Sequence, residues 1–279
     1  MRKTFIISCC LIALTVSIAN GQSDLINRGT SWMSRDDLER AIKDSNIAIT
    51  FHPESPAAYY NRAVLLQAHG ETEKALADYN RAIAIKPRYA SAYVNRAGIY
   101  YAHGRLDLAL ADCNRALEID SHHASAYTNR GVVRSARGDF EGALADHNKA
   151  IQLDPKLPTA YFNRGVLYLS KGDLNGALAD FTRATELAPA LARAYVNRGS
   201  VLVAMGQLNK ALIDYDLAIE LDPLMADVFQ NRGMVYLLLG REDDANRDFA
   251  RCLELDSSLK FSLEAAIKTA KQRMIERKN

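Results

Sequence analysis

An Asn-Arg pair followed by a Gly or an Ala recurs seven times along the chain, each time 34 residues after the last. The Asn residues are Asn27, Asn61, Asn95, Asn129, Asn163, Asn197 and Asn231. An amide side chain carries both a donor and an acceptor, so a row of amides can pair with the backbone of any peptide. The guanidinium that follows each Asn instead suits a carboxylate, because its planar donors match the two carboxylate oxygens.

A row of acids matches the row of cations. An Asp follows each of the seven Arg residues at a distance of sixteen residues, beginning with Arg28 and Asp44. A cation beside a packed face loses water and needs a partner. We therefore expect structural ion pairs between the two helices of a unit or across neighbouring units. The residues predicted to form them are Arg62, Asp78, Arg96, Asp112, Arg130, Asp146, Arg164, Asp180, Arg198 and Asp214. The alternative, a row of cations facing a ligand, leaves the Asp row unexplained.

The 34-residue period also predicts the elements that carry these residues. We number the positions of each unit from 1 to 34, with the seven units spanning 22–55, 56–89, 90–123, 124–157, 158–191, 192–225 and 226–259. Gly at position 15 of most units ends a first helix, and Pro at position 32 of five units ends a second. Apolar residues at positions 20, 21, 24, 27 and 28 form one helical stripe. Residues 260–279 are expected to form a capping helix.

Small residues complete the pattern. Position 8 is always Gly or Ala, position 20 is always Ala, and position 4 is aromatic in six of the seven units. This pattern and its length resemble the tetratricopeptide repeat. The resemblance implies an all-α fold, a right-handed α-solenoid or superhelix of helix-turn-helix units, whose concave face is lined by the first helices. It also places the Asn of position 6 on that face, where related repeats use an Asn ladder to bind peptide backbone.

We therefore expect the concave face to bind a peptide. The predicted peptide-binding residues are Asn61, Asn95, Asn129, Asn163, Asn197 and Asn231, together with the bulky lining residues Tyr60, Tyr101 and Phe162. The rest of the lining is small and apolar, and the Lys at position 5 and second Asn at position 9 that form the carboxylate clamp of chaperone-binding relatives are missing. The expected ligand is an extended, largely neutral segment. Alternatively, each Asn bonds a neighbouring repeat and only stiffens the stack.

The first residues predict export. Arg2 and Lys3 precede an apolar run from Phe5 to Ile18, which is the layout of a secretory signal peptide over 1–21, with cleavage after Ala19 or Gly21. An uncleaved anchor and a weak lipobox ending at Cys9 are alternatives. Removing Arg2 and Lys3 from the 35 basic residues leaves 33, equal to the 33 acidic ones. A neutral mature chain has no electrostatic footprint for nucleic acid or for an anionic membrane.

The sequence contains no motif of a known catalytic constellation, and we expect neither an enzyme nor a cofactor or metal site. Cys113 and Cys252 occupy core positions, which predicts buried free thiols. Two function classes remain. The first is an exported, periplasmic or secreted adaptor that holds a protein or peptide partner during envelope assembly. The second is a structural scaffold, a homo-oligomer that associates through its end repeats or convex face with no groove ligand.

Overall fold

The computed structural model describes residues 33–276, with the side chains of residues 273–275 excepted. Within this range the chain forms α-helices and one short 3-10 helix, with no strand. The helices are α1 (Arg35–Phe51), α2 (Pro56–Ala68), α3 (Thr72–Ile85), α4 (Ala90–Ala102), α5 (Leu106–Ile119), α6 (Ala124–Ala136), α7 (Phe140–Leu153), α8 (Pro158–Ser170), α9 (Leu174–Leu187), α10 (Ala192–Ala204), α11 (Leu208–Leu221), α12 (Ala226–Leu238), α13 (Glu242–Leu255) and α14 (Lys260–Glu276). None of these described helices has the length and hydropathy needed to cross a bilayer.

The helices alternate regularly in length. From α2 to α13, a first helix of 13 residues at positions 1–13 is followed by a second helix of 14 residues at positions 17–30. This alternation is that of an all-α helical repeat solenoid. The described residues divide into two compact parts, an N-terminal part ending at residue 163 and a C-terminal part beginning at residue 164.

In units two to seven, the first helix ends just before the Gly of position 15, as in unit three. The N–H of Gly104 donates to the carbonyl of Tyr101 at 2.9 Å, and the N–H of Arg105 donates to the carbonyl of Tyr100 at 2.8 Å. Gly104 has a φ of 69°, a left-handed conformation that favours Gly. The same turn recurs at Gly70, Gly138, Gly172, Gly206 and Gly240.

In units two, four, five, six and seven, the core is built from small residues and one ring at position 24, whereas unit three has Cys113 there. The ring of position 24 lies directly over position 8, so that a Cβ added at Gly199 would lie 2.7 Å from Tyr215 and one added at Gly131 would lie 2.6 Å from His147. Tyr215 and His147 are both almost fully buried. The small residue predicted at position 8 therefore makes room for the ring of the second helix.

The first described helix begins differently from the others. Unit one has Asp36 at position 15, and α1 starts at Arg35, three positions earlier than other second helices. Its N-cap is Ser34, whose side chain accepts a hydrogen bond from the N–H of Asp37 at 3.1 Å. The predicted signal peptide at 1–21 and the residues Asn27 and Arg28 of unit one lie outside the described residues.

The last helix covers the end of unit seven. Leu263 of α14 is 1 % exposed and packs in one cluster with Leu237, Phe249 and Cys252. Ile267 lies beside this cluster on the same helix. An apolar face of the predicted capping helix therefore contacts the last repeat.

Candidate functional site

The Arg at position 7 and the Asp at position 23 form the same bidentate ion pair in every unit from two to seven. In unit three, Nε of Arg96 donates to Oδ2 of Asp112 and Nη2 donates to Oδ1, both at 2.7 Å. The equivalent pairs are Arg62–Asp78, Arg130–Asp146, Arg164–Asp180, Arg198–Asp214 and Arg232–Asp248. All six Asp residues are buried. Each pair joins the first helix of a unit to the second.

A third nitrogen of the same Arg reaches the preceding unit. Nη1 of Arg96 donates to Oδ1 of Asn80 at 2.7 Å, and Nη1 of Arg130 donates to Oδ1 of Asn114 at 3.0 Å. Both acceptors occupy position 25 of the unit before. The sequence left open whether the Arg–Asp pairs form within a unit or across units. Arg96 and Arg130 form them within the unit, and their bond across units goes to an Asn amide. The Asn of position 25 was not predicted to take part, although it recurs in four units.

Aromatic rings complete the surroundings of the guanidinium. The Cζ atom of Arg96 lies 5.3 Å from the ring centroid of Tyr93 at position 4 and 5.6 Å from that of Tyr100 at position 11. Stacking of this kind stabilises a partly desolvated cation. In unit four, position 11 is Arg134, whose Nη1 donates to Asp146 at 2.8 Å. Asp146 therefore accepts hydrogen bonds from two guanidinium groups.

The contacts of the guanidinium groups leave the Arg row little capacity to bind a ligand. The hydrogen bonds to Asp146 raise the pKa of Arg130, and those to Asp214 raise the pKa of Arg198, which outweighs the opposing effect of burial in both cases. A charged group held by a carboxylate, a neighbouring unit and a ring has few donors left for a ligand. The Arg row therefore stabilises the repeats.

The Asn row at position 6 has a different arrangement. Nδ2 of Asn95 donates to the hydroxyl oxygens of Tyr60 at 3.1 Å and Tyr79 at 3.3 Å, and Nδ2 of Asn129 donates to the carbonyl of Val94 at 3.2 Å. Tyr60 and Val94 both belong to the unit before the Asn that bonds them. Among the described residues, none donates a hydrogen bond to Oδ1 of Asn95 or of Asn129. In Asn95 and Asn129, the amide nitrogen is thus bonded to the preceding repeat, while the amide oxygen is available.

The remaining predicted residues differ in exposure. Asn61 is exposed, and Asn163 and Asn231 are partly exposed. Asn197 and Phe162, by contrast, are each only 3 % exposed. Nδ2 of Asn197 has no hydrogen-bond partner among the described residues. Solvent therefore reaches five of the six Asn side chains that were predicted to bind a peptide.

The predicted lining tyrosines are partly exposed. Tyr60 lies in a cluster with Tyr89, 5.0 Å away between ring centroids, and Tyr79, 5.9 Å away. Burial raises the pKa of Tyr60 and of Tyr101, so both remain neutral hydroxyl groups over the physiological range. The polar atoms of this surface are therefore uncharged donors and acceptors.

Groups that could react or bind a metal are few in the described range. Cys113 and Cys252 are free and buried, as predicted. Burial raises the pKa of Cys113 to about 12, which keeps the thiol protonated. Residues 33–276 contain no group of three or more His, Cys, Asp or Glu side chains placed to bind a metal ion.

Family models match most of the chain. Models described as tetratricopeptide repeat match residues 30–99, 90–123, 158–191, 192–223 and 226–259, and a model described as TPR repeat matches residues 133–172. None of the curated proteins compared with the chain matches it significantly.

Solved structures of tetratricopeptide repeat proteins share the fold. A chain of the APC/C hetero-tetramer Cut9-Hcn1 has a TM-score of 0.77 at 17 % identity, covering 84 % of this chain and 46 % of that one, so the present chain spans about half its length. A repeat protein from Parabacteroides merdae has a TM-score of 0.62 at 20 % identity, covering 90 % and 99 % of the two chains. YrrB, described as a TPR protein with an unusual peptide-binding site, has a TM-score of 0.52 at 26 % identity, covering 67 % and 97 %.

The first two of these likenesses concern the fold alone, because their identities are below 25 %. The family assignment depends instead on the repeat models, which follow one another along almost the whole described range. Tetratricopeptide repeats are in general non-enzymatic scaffolds that bind protein or peptide partners. The chain belongs to the tetratricopeptide repeat family and is a protein–protein interaction module.

Proposed function

We propose that the protein is an exported adaptor that binds an extended, largely neutral peptide segment along its first helices. The binding surface is the Asn face, which comprises positions 5, 6, 9 and 12 of the first helices. Its partners are proteins of the cell envelope that expose an unstructured segment during assembly. The predicted signal peptide at 1–21 supports the export, and it lies outside the described residues.

The observation that carries the proposal is the orientation of the Asn amides. Nδ2 of Asn129 is fixed by the carbonyl of Val94, and Nδ2 of Asn95 is fixed by Tyr60 and Tyr79. An amide that is held through its nitrogen has a defined direction for its oxygen, which accepts hydrogen bonds from two donors. Bonding to the neighbouring repeat and binding of a peptide are therefore compatible. The internal bonds lower the entropy that the Asn side chains lose when a peptide N–H binds.

The spacing of the Asn row suits an extended chain. Packed helices lie about 8–10 Å apart, and an extended peptide rises about 3.3 Å per residue. One Asn therefore meets roughly every third residue of the ligand. Binding through backbone N–H groups at this interval tolerates many side-chain sequences, which is useful for an adaptor with several clients.

The chemistry of the lining favours a neutral ligand. Apolar side chains recur at positions 5 and 9 of the first helices. Val64, Val166 and Met234 are partly exposed, whereas Val94, Val132 and Val196 are buried beneath this surface. Position 2 of the described first helices carries a charge only in units six and seven, where Arg193 and Asp227 pair with each other and cancel their charges. The description of YrrB as a peptide-binding repeat protein is consistent with this use of the fold.

Capture of partners with an Asn variant tests the proposal. The variant carries Asn95→Ala, Asn129→Ala and Asn163→Ala, and its matched control carries Asn175→Ala, Asn209→Ala and Asn246→Ala, three exposed residues of second helices. Both proteins are first shown to be folded by circular dichroism. Each is then incubated with envelope extract, and the retained proteins are identified by mass spectrometry.

The proposal predicts that partners captured by the wild-type protein and by the control are lost from the Asn variant. Retention of the same partners by a folded Asn variant would contradict it. A lower melting temperature without loss of partners would assign the Asn row to stabilisation of the stack alone.

A further inference from the structure

The outer face of the second helices has a common charged position. Position 26 is Arg or Lys in units two, three, four, five and seven, at Arg81, Arg115, Lys149, Arg183 and Arg251. Three of these cations pair with a Glu three residues later: Arg115 with Glu118 at 2.8 Å, Arg183 with Glu186 at 2.9 Å, and Arg251 with Glu254 at 3.0 Å. Such pairs keep this surface hydrated.

Units one and six depart from this pattern. Position 26 is Ile47 in unit one and Leu217 in unit six, and these side chains are 54 % and 36 % exposed. One turn later, Phe51 is 74 % exposed and Leu221 is 42 % exposed. Residues at i and i+4 share a helix face, so each of these two helices carries an exposed apolar stripe. The difference from the other units lies at position 26, because position 30 is apolar in all seven units.

The two stripes define two patches. The α1 patch consists of Ile47 and Phe51. The α11 patch consists of Ile213, Leu217, Leu221 and Leu224, of which Ile213 is 60 % exposed and Leu224 is 70 % exposed. Contiguous exposed apolar residues with a polar surround are typical of protein interaction sites.

The charges beside the patches indicate what covers them. On α1 the stripe continues toward the N-terminus with the exposed residue Lys43, one turn before Ile47. On α11 the exposed acid Glu220 lies beside Leu221 at the C-terminal end of the stripe. An antiparallel contact that places Ile47 on Leu217 and Phe51 on Ile213 also places Lys43 beside Glu220. The two patches therefore match in the register of their apolar residues, and Lys43 meets the acid Glu220.

Pairing of two α11 patches with each other is less favourable. An antiparallel contact centred on Leu217 would place Glu220 of each copy beside Asp216 of the other, and both side chains are exposed acids. Like charges at an interface oppose association. Packing on the α1 patch instead brings the cation Lys43, which lies one turn before Ile47, beside this acidic flank.

We infer that copies of this chain associate head to tail, with the α1 patch of one copy packed antiparallel on the α11 patch of the next. Because the two patches differ, the contact is heterologous and leaves a free patch on each terminal copy. Association then continues until a ring closes or an open chain forms. This inference uses the second helices and does not depend on the Asn face, so either proposal can fail without the other.

Two single substitutions and their mixture test the inference. Leu217→Arg gives unit six the Arg of its neighbours, with Glu220 already in place three residues later, so the fold is expected to be retained. Ile47→Arg changes the α1 patch in the same way. Ala145→Arg, at exposed position 22 of α7, is the matched control for an added surface charge. Circular dichroism verifies that all three variants are folded.

Sedimentation velocity then measures the assembly state over about 1 to 100 μM, the range for small transient interfaces. The wild-type protein and the Ala145→Arg control are expected to grow in mass with concentration, and each patch variant is expected to remain monomeric. An equimolar mixture of the two patch variants is expected to form a dimer and nothing larger, because only one intact pair of patches is left.

Other results would overturn the inference. A wild-type protein that stays monomeric, patch variants that assemble like the wild type, or a mixture that stays monomeric would each do so. If Leu217→Arg is monomeric while Ile47→Arg still dimerises, the contact is symmetric through α11 and the head-to-tail arrangement is wrong.

Discussion

Removal of one Arg from the ion-pair row should have an effect that depends on the unit, because units three and four differ in one contact. Asp112 accepts side-chain hydrogen bonds from Arg96 alone among the described residues, whereas Asp146 accepts them from both Arg130 and Arg134. The substitutions to compare are Arg96→Leu and Arg130→Leu. Leu is a good helix former, so neither change disturbs the helix itself.

The expected magnitudes follow from the burial of the carboxylates. Breaking a buried ion pair by removal of one partner costs about 3–5 kcal/mol. The side chain of Arg96 is 16 % exposed and that of Asp112 is 8 % exposed, so water relieves part of this penalty. We expect Arg96→Leu to lower the free energy of unfolding by about 3 kcal/mol. Arg130→Leu should cost about 1–2 kcal/mol, because Arg134 continues to pair with Asp146.

Urea unfolding followed by far-ultraviolet circular dichroism measures both variants. With a denaturant slope of about 2–3 kcal/mol/M, the Arg96→Leu midpoint should shift by about 1 M and the Arg130→Leu midpoint by about half as much. Because neighbouring repeats can unfold separately, the curves are fitted with a nearest-neighbour model. The double variant Arg96→Leu with Asp112→Ala should recover part of the loss, since no buried charge is then left unpaired.

Two results would contradict the role given to Arg134 and to the unpaired carboxylate. Equal destabilisation by the two single substitutions, or a larger effect of Arg130→Leu, would show that Arg134 does not compensate at Asp146. The double variant could also lose as much free energy of unfolding as its two single substitutions lose together. That result would show that the unpaired carboxylate does not cause the destabilisation.

Three further results are expected. The thiols of Cys113 and Cys252 should react with a thiol reagent at pH 8 only after the protein unfolds. Burial raises their pKa values to about 12 and about 11. Rapid reaction of the native protein would contradict this expectation. The free energy of unfolding should fall as the pH rises above about 8.5, the pKa of a free thiol, because these thiols and the hydroxyl of Tyr79, whose pKa burial also raises, ionise first in the unfolded chain. Urea unfolding at pH 8 and at about pH 10.5, roughly two units above the pKa of a free thiol, checks the sign. Gly104→Ala should lower the free energy of unfolding by about 1 kcal/mol, and Gly104→Asn should lower it less, since Asn tolerates the left-handed conformation better. Thermal unfolding compares the two variants. Equal losses of stability would show that the left-handed conformation is not the cause.

The helix pairs and the partners of the Arg row could be predicted because they depend on local rules. Gly at position 15 needs only its own left-handed turn, and a row of cations at a constant spacing from a row of acids predicts ion pairs between packed helices. The contact between Arg134 and Asp146 could not be predicted in the same way. Arg134 stands at a position that is aromatic or Leu in the other units, and only the packing of α6 on α7 shows which acid it reaches.

The Asn row could be predicted only in part. Its position on the first helices follows from the period, but the direction of each amide depends on atoms of the preceding unit, such as the carbonyl of Val94. The burial of Asn197 depends likewise on tertiary packing that no local pattern contains. Ile47 and Leu217 stand out in the sequence as apolar residues at a charged position. Their exposure was not predictable, because another element could have covered them.

Site-specific crosslinking tests the role of the Asn face most directly. A photoactivatable residue replaces Asn129 on α6 in one protein and the exposed Asn175 on α9 in another, and both are irradiated in envelope extract. We predict crosslinks from Asn129 to extended, uncharged peptide segments of other proteins and only background from Asn175. Crosslinks at Asn129 no more frequent than those at Asn175 would contradict a peptide-binding role for the Asn face.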